Sequence, residues 1–170
     1  MEPSSLKRKI CLLGAFGVGK TSLVRQFVHS EFSDAYHSTM GVKVDKKVLQ
    51  VGDCELTMVI WDVAGEEEFF QVPDSYVQGA HGFLFVADGT RQPSLATMLS
   101  VRHRFQNPDR LLPEIILLNK ADLEDEWTLD EKVEANFEAE GLLCLRTSAA
   151  DGRNVEAAFQ KLAEQMLAVR

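Results

Sequence analysis

Gly14-Ala15-Phe16-Gly17-Val18-Gly19-Lys20-Thr21 decides how this chain is read. The stretch fits G-x-x-x-x-G-K-[ST], and it sits between a short apolar run, Ile10–Leu13, and a segment in which Leu23 and Phe27 lie one helical turn apart. Strand, loop, helix is the context the pattern requires. The glycines let the backbone curl so that successive N–H groups point inward at phosphate oxygens. The helix that starts near Lys20 adds the positive end of its dipole. Lys20 supplies a point charge for β- and γ-phosphates, and the Thr21 hydroxyl is placed to ligate Mg²⁺. The competing reading is a glycine-rich turn that binds nothing.

Outward from this loop the chain alternates two patterns. Runs rich in Ile, Leu, Val and Phe recur at Leu56–Trp61, Phe83–Ala87, Ile115–Leu118 and Leu142–Leu145 and read, with Ile10–Leu13, as strands buried on both faces. Segments of helical period separate them. Leu95 and Leu99 are one turn apart, and Val155, Phe159, Leu162, Met166 and Leu167 form one stripe with Asn154 as its N-cap. One pair breaks the rhythm: Val42–Leu49 and Leu56–Trp61 flank the turn signal Val51-Gly52-Asp53-Cys54 and read as a hairpin. The expectation is one domain over residues 1–170, a three-layer α/β sandwich. Its six-stranded sheet is mostly parallel with one antiparallel edge strand, and helices cover both faces.

In such sheets the ligand lies at the carboxyl ends of the strands, so the residues that follow each strand carry the function. The third strand is followed by Asp62-Val63-Ala64-Gly65, which places a carboxylate within reach of a metal shell and a glycine that admits close backbone approach. Alone, that is an ordinary turn. The fifth is followed by Asn119-Lys120-Ala121-Asp122. An Asp there can accept from both the ring N–H and the exocyclic amine of guanine, a donor pair that adenine lacks on that edge. Alone, that is a polar loop. The sixth is followed by Thr147-Ser148-Ala149-Ala150, a small-residue turn able to bring a backbone N–H to the guanine oxygen.

Taken together the chain resembles the Ras superfamily of small GTPases, and within it the Rab branch. The carriers are Gly14–Thr21, Ser38-Thr39-Met40-Gly41-Val42, Trp61–Gly65, Ser75–Gly82, Asn119–Asp122, Ser148-Ala149 and Gly152-Arg153-Asn154-Val155. The resemblance covers essentially the whole chain. It implies a P-loop G domain that binds GTP or GDP with Mg²⁺ and hydrolyses GTP slowly. The nucleotide is then held by Ala15, Phe16, Gly17, Val18, Gly19, Lys20, Thr21 and Ser22, with Asn119, Lys120, Asp122, Leu123, Ser148, Ala149 and Ala150 around the base. Phe32 matches the aromatic that packs on the guanine plane, and Tyr36 the residue that closes over the phosphates. Thr21, Thr39 and Asp62 match the metal shell. Lys20, Thr39, Gly65 and Glu66 stand at the catalytic positions. Segments 33–41 and 65–78 match two switches that order around GTP. Trp61 and Tyr76 match two of three aromatics through which Rab proteins meet effectors and regulators; Val44 stands at the third. An aromatic pair of this kind is also compatible with a place in the core.

Four features depart from the family. Phe16 stands where the loop usually has a small residue. Glu66, followed by Glu67 and Glu68, stands where a Gln usually orients the attacking water. Ala150 replaces a Lys beside the guanine. The family's prenylated tail does not follow Arg170, which reads either as a trimmed tail or as a member that works in the cytosol, as a prokaryotic relative would. Phe16 and Glu66 keep open a second reading, a GTP-binding module with negligible turnover. A third, another P-loop ATPase or kinase, is disfavoured by Asn119, Lys120 and Asp122.

The chain is expected to act as a cytoplasmic monomer, and its net charge argues against bulk binding of nucleic acid or an anionic membrane. With 18 basic and 26 acidic residues the formal net charge is −8, so an anion site must be built locally. No apolar run approaches the roughly 18–20 residues of a membrane span. Cys11, Cys54 and Cys144 are odd in number and widely spaced, and read as reduced core thiols.

Overall fold

The computed structural model describes residues 4–33, 38–67 and 70–169. Six strands form one sheet: β1 (Ser4–Gly14), β2 (Val42–Val51), β3 (Cys54–Val63), β4 (Gly82–Asp88), β5 (Glu114–Asn119) and β6 (Cys144–Arg146). Their order is β2-β3-β1-β4-β5-β6. Among the described residues of this sheet only the β2–β3 pairing is antiparallel, closed by a two-residue turn with Val51 opposite Cys54. This is the expected mixed sheet with an antiparallel edge.

Helices α1 (Lys20–His29), α2 (Asp74–Val77), α3 (Gln92–Phe105), α4 (Lys132–Ala139) and α5 (Val155–Ala168) lie around it. One apolar core joins α1 and α5 to the sheet through Leu23, Phe27, Phe159 and Leu162 against Ile10, Leu12 and Leu84. The Phe27 and Phe159 rings stack with centroids 3.9 Å apart and nearly parallel planes. That contact fixes α1, and with it the loop at its N-terminus. The other core sets Met98, Val101 and Phe137 against Leu13, Phe83 and Phe85.

Five local expectations are corrected. β6 starts at Cys144, not Leu142, because the Leu142 N–H is bonded to the Phe137 carbonyl at the end of α4. β1 extends back to Ser4, where its charged residues pair with β3. On α3 the buried residues are Ser94, Met98 and Val101, while Leu99 is exposed. Asn154 precedes α5 with φ 57° and makes no side-chain cap; its Nδ2 donates to the Arg146 carbonyl at 2.8 Å instead. Burial pushes the Cys11 and Cys144 thiols up to about 12, although Lys9 pulls the first down, so both are inert thiols. Cys54, at the start of β3, is half-buried rather than a core residue. Among the described residues no helix is long and apolar enough to cross a membrane.

Candidate functional site

The loops after β1, β3, β5 and β6 surround a cleft of about 390 Å³. Phe16, Gly17, Gly19, Lys20, Thr21 and Ser22 form one wall, with Thr39 and Gly65 beside them. Asn119, Lys120, Asp122, Leu123, Ala149 and Ala150 form the other, and Phe32 lies at the rim, 43% exposed. Ala15, Val18, Asp62, Glu66 and Ser148 are not among the residues that line the cleft. Tyr36 lies outside the described residues.

Two glycines are required by close approach. Gly19 has φ +101°, and a Cβ there would fall 2.3 Å from Asn119 Nδ2. Asn119 is buried and works as a brace: its Nδ2 donates to the Val18 carbonyl at 3.0 Å, while its Oδ1 accepts from Thr147 Oγ1 at 3.1 Å. One amide thus ties together the loops after β1, β5 and β6. At Gly65 a Cβ would meet Phe16 Cα at 2.3 Å. This glycine lets the loop after β3 lie against the loop after β1, an approach sealed by Glu66 N–H to Gly14 O (3.1 Å) and Phe16 N–H to Glu66 O (3.0 Å).

The polar groups at the two ends of the cleft differ. At one end Lys20 is 5% exposed, and its Nζ donates to the Ala15 carbonyl at 2.9 Å and the Gly14 carbonyl at 3.3 Å. Burial lowers its pKa from 10.5 to about 8, with Asp62 opposing the shift and Arg91 adding to it. Beside it, Thr21 Oγ1 donates to Asp62 Oδ2 at 2.6 Å and lies 2.7 Å from Thr39 Oγ1. A hydroxyl carries one proton, so Thr39 donates to Thr21 and Thr21 to Asp62. At the other end Ser148 Oγ donates to Asp122 Oδ1 at 2.8 Å, which orients a carboxylate at the mouth of the cleft.

A sequence model described as the Ras family matches residues 9–168. The chain belongs to the Ras family. It is therefore a small GTPase of the P-loop class, and the mixed six-stranded sheet is that of a G domain.

Members of the Ras family generally bind Mg²⁺ with the nucleotide, and the residues here fit that ion. Asp62 is 1% exposed, and its Oδ1 is buried with no hydrogen-bond partner. A buried unpaired carboxylate oxygen is costly unless a cation meets it. Burial holds the Asp62 pKa above the ordinary carboxylate value, against the Thr21 hydrogen bond and the pull of Lys20 and Lys43. One carboxylate and two hydroxyls make an all-oxygen set suited to a hard ion that completes its shell with water and phosphate.

Glu66 does not face the cleft. Its Oε1 is 2.8 Å from Arg104 Nη1 on α3 and accepts from the Val72 N–H at 3.2 Å, while Arg104 Nη2 donates to the Val72 carbonyl at 2.6 Å. Trp61 and Tyr76 are half-buried, packed against the second core, and Lys9 Nζ lies 3.6 Å over the Trp61 ring. Val44, opposite Trp61 in the sheet, is 46% exposed.

Three polar residues near this Ras-family cleft escaped the sequence reading. Arg104 had no local signal. Asp88 and Arg91 had one, because Asp88 is the last residue of the apolar strand β4, as Asp62 is the last but one of β3, and the rule applied after the other strands points to it equally. Asp88 is fully buried. Its Oδ2 meets Lys120 Nζ at 2.9 Å and Arg91 Nε at 3.1 Å, and its Oδ1 accepts from the Thr90 N–H and hydroxyl at 2.8 and 2.7 Å. Burial alone would raise the Asp88 pKa; the bonds from Lys120 and Thr90 outweigh it and hold the group below its ordinary value.

Proposed function

We propose that this protein is a guanine-nucleotide switch that binds GTP and GDP with Mg²⁺ and hydrolyses GTP slowly. The observation that carries the guanine reading is Asp122. Its carboxylate is oriented by Ser148 at the opposite end of the cleft from Lys20, as a base and a polyphosphate require. The Gly14–Thr21 loop and Lys20 serve the phosphates, and Phe32, Asn119, Lys120, Leu123, Ser148, Ala149 and Ala150 serve the base. Thr21, Thr39 and Asp62 would hold the metal, which would supply charge neutralisation for the phosphates. Thr39 is the residue through which the segment around 33–41 senses the γ-phosphate. Gly65 gives the loop after β3 its approach to the phosphate end.

Slow turnover follows from Glu66. A carboxylate beside the γ-phosphate is repelled, and here it is bonded to Arg104 and Val72 rather than to the space where water would attack. The same observation favours the second reading, a nucleotide-binding module with negligible turnover. Trp61 and Tyr76, with Val44 beside them, serve as the contact surface for effectors and regulators, in the manner of the Rab branch. The protein acts as a cytoplasmic monomer. The test of the nucleotide reading is to denature the purified protein and identify what it releases. Guanine nucleotide supports it, and adenine nucleotide refutes it.

A further inference from the structure

Arg91 reaches the phosphate loop from the segment after β4. Its Nη2 donates to the Phe16 carbonyl at 2.7 Å, while its Nε stays 3.1 Å from Asp88 Oδ2. Nη2 also lies 3.4 Å from the place a Cβ on Gly17 would take. The guanidinium is thus gripped at both ends, and Asp88 is locked by four donors. The second cation on that carboxylate is Lys120, which lines the base side of the cleft. One buried anion therefore joins a cation on the base loop to a cation that reaches the phosphate loop. Two positive charges share one negative, so a surplus of one charge remains beside the cleft.

The chain of effects runs through one peptide unit. The bond between Phe16 and Gly17 is trans, as are all the peptide bonds among the described residues. The Gly17 N–H therefore points opposite to the Phe16 carbonyl. A carbonyl that accepts from a guanidinium is polarised, and the N–H of the same peptide becomes a stronger donor. Gly17 lines the cleft.

We propose that Arg91, anchored by Asp88, is a positioning residue for nucleotide phosphate. It fixes and polarises the 16–17 peptide so that the Gly17 N–H meets the β- and γ-phosphates, and it couples that loop to the base through Asp88 and Lys120. The proposal rests on the guanine-nucleotide reading for its ligand.

The experiment measures affinities for GMP, GDP and GTP on wild type, Arg91→Ala, Arg91→Lys and Asp88→Asn, with thermal unfolding of each nucleotide-free protein. Arg91→Ala is expected to weaken GDP and GTP roughly ten-fold, because a positive charge is removed from beside the phosphates and the Gly17 N–H loses its polarisation, and to leave GMP within about two-fold. Arg91→Lys keeps the charge but cannot span both partners, and recovers little of the loss. Asp88→Asn frees Lys120 as well, and weakens GMP too. In the nucleotide-free protein the Gly17 amide proton resonance is expected to move upfield in Arg91→Ala, a readout a merely structural role would not give. Equal weakening of all three nucleotides by Arg91→Ala, unchanged affinities, or a stationary Gly17 amide would each overturn the proposal. Wild type that binds no guanine nucleotide would overturn the functional reading and the phosphate role with it, whereas normal wild-type binding with an unaffected Arg91→Ala overturns the inference alone.

Discussion

Replacing Asp62 with Asn separates the cost of burying a charge from the use made of it. In the nucleotide-free protein the carboxylate accepts one short bond from Thr21 and leaves Oδ1 unpartnered. A charge-assisted bond contributes about 1.5–3 kcal/mol. The effective penalty of burying an ion is several kcal/mol, offset in part by Lys20. The raised pKa of Asp62 says the penalty wins. Asn keeps the shape and one acceptor and drops the charge, so Asp62→Asn is expected to leave nucleotide-free stability within about 1 kcal/mol of wild type, or above it. With nucleotide and Mg²⁺ the sign reverses. Saturating Mg²⁺ at about 100 times its dissociation constant stabilises wild type by about 2.7 kcal/mol. For a chain of this size that is roughly 5–10 °C in Tm. Asp62→Asn should lose most of this increment. The assay is thermal unfolding of the GDP complex with and without Mg²⁺, beside the nucleotide-free protein. A nucleotide-free loss of more than about 3 kcal/mol, or a full Mg²⁺ increment in the variant, would refute the reasoning.

Two further outcomes are expected. Glu66→Gln removes the charge that binds Arg104 and repels phosphate; single-turnover hydrolysis should quicken, and a wild-type rate well above that of the variant would mark Glu66 as a working base. Lys20, lowered to about 8, gives the nucleotide-free protein a stability that rises between about pH 8 and 10.5, where the unfolded chain still holds a proton the folded one has released. Denaturant titrations of wild type and Lys20→Met across that window should show the difference between them growing in favour of wild type, on top of the common fall that Cys11 and Cys144 impose as the unfolded thiols ionise from about pH 9.

The sheet was legible because its central strands are continuous apolar runs with a turn signal at the one hairpin. The first half of β1 was not, since Lys7, Arg8 and Lys9 stand on an exposed extension where no apolar pattern is required. α4 was likewise silent: only Phe137 on it is buried. On α3, tertiary packing chose Met98 and Val101 over the Leu95–Leu99 spacing. At the site, residues that face the ligand follow strand ends in fixed spacing and could be read in one dimension. Residues that act on other residues could not. Arg104 reaches Glu66 from 38 positions away in the chain, a pairing that exists only once α3 has packed on the sheet.

The central claim is that Asp122 selects guanine. It is tested most directly by competition of GDP, ADP and xanthosine diphosphate against a fluorescent GDP analogue on wild type and Asp122→Asn. Exchanging one acceptor for a donor, while keeping the oxygen that Ser148 holds, should weaken GDP by roughly ten- to a hundred-fold and raise the affinity for the xanthine nucleotide. Wild type that accepts ADP as readily as GDP, or a variant whose preference does not move, would contradict the account.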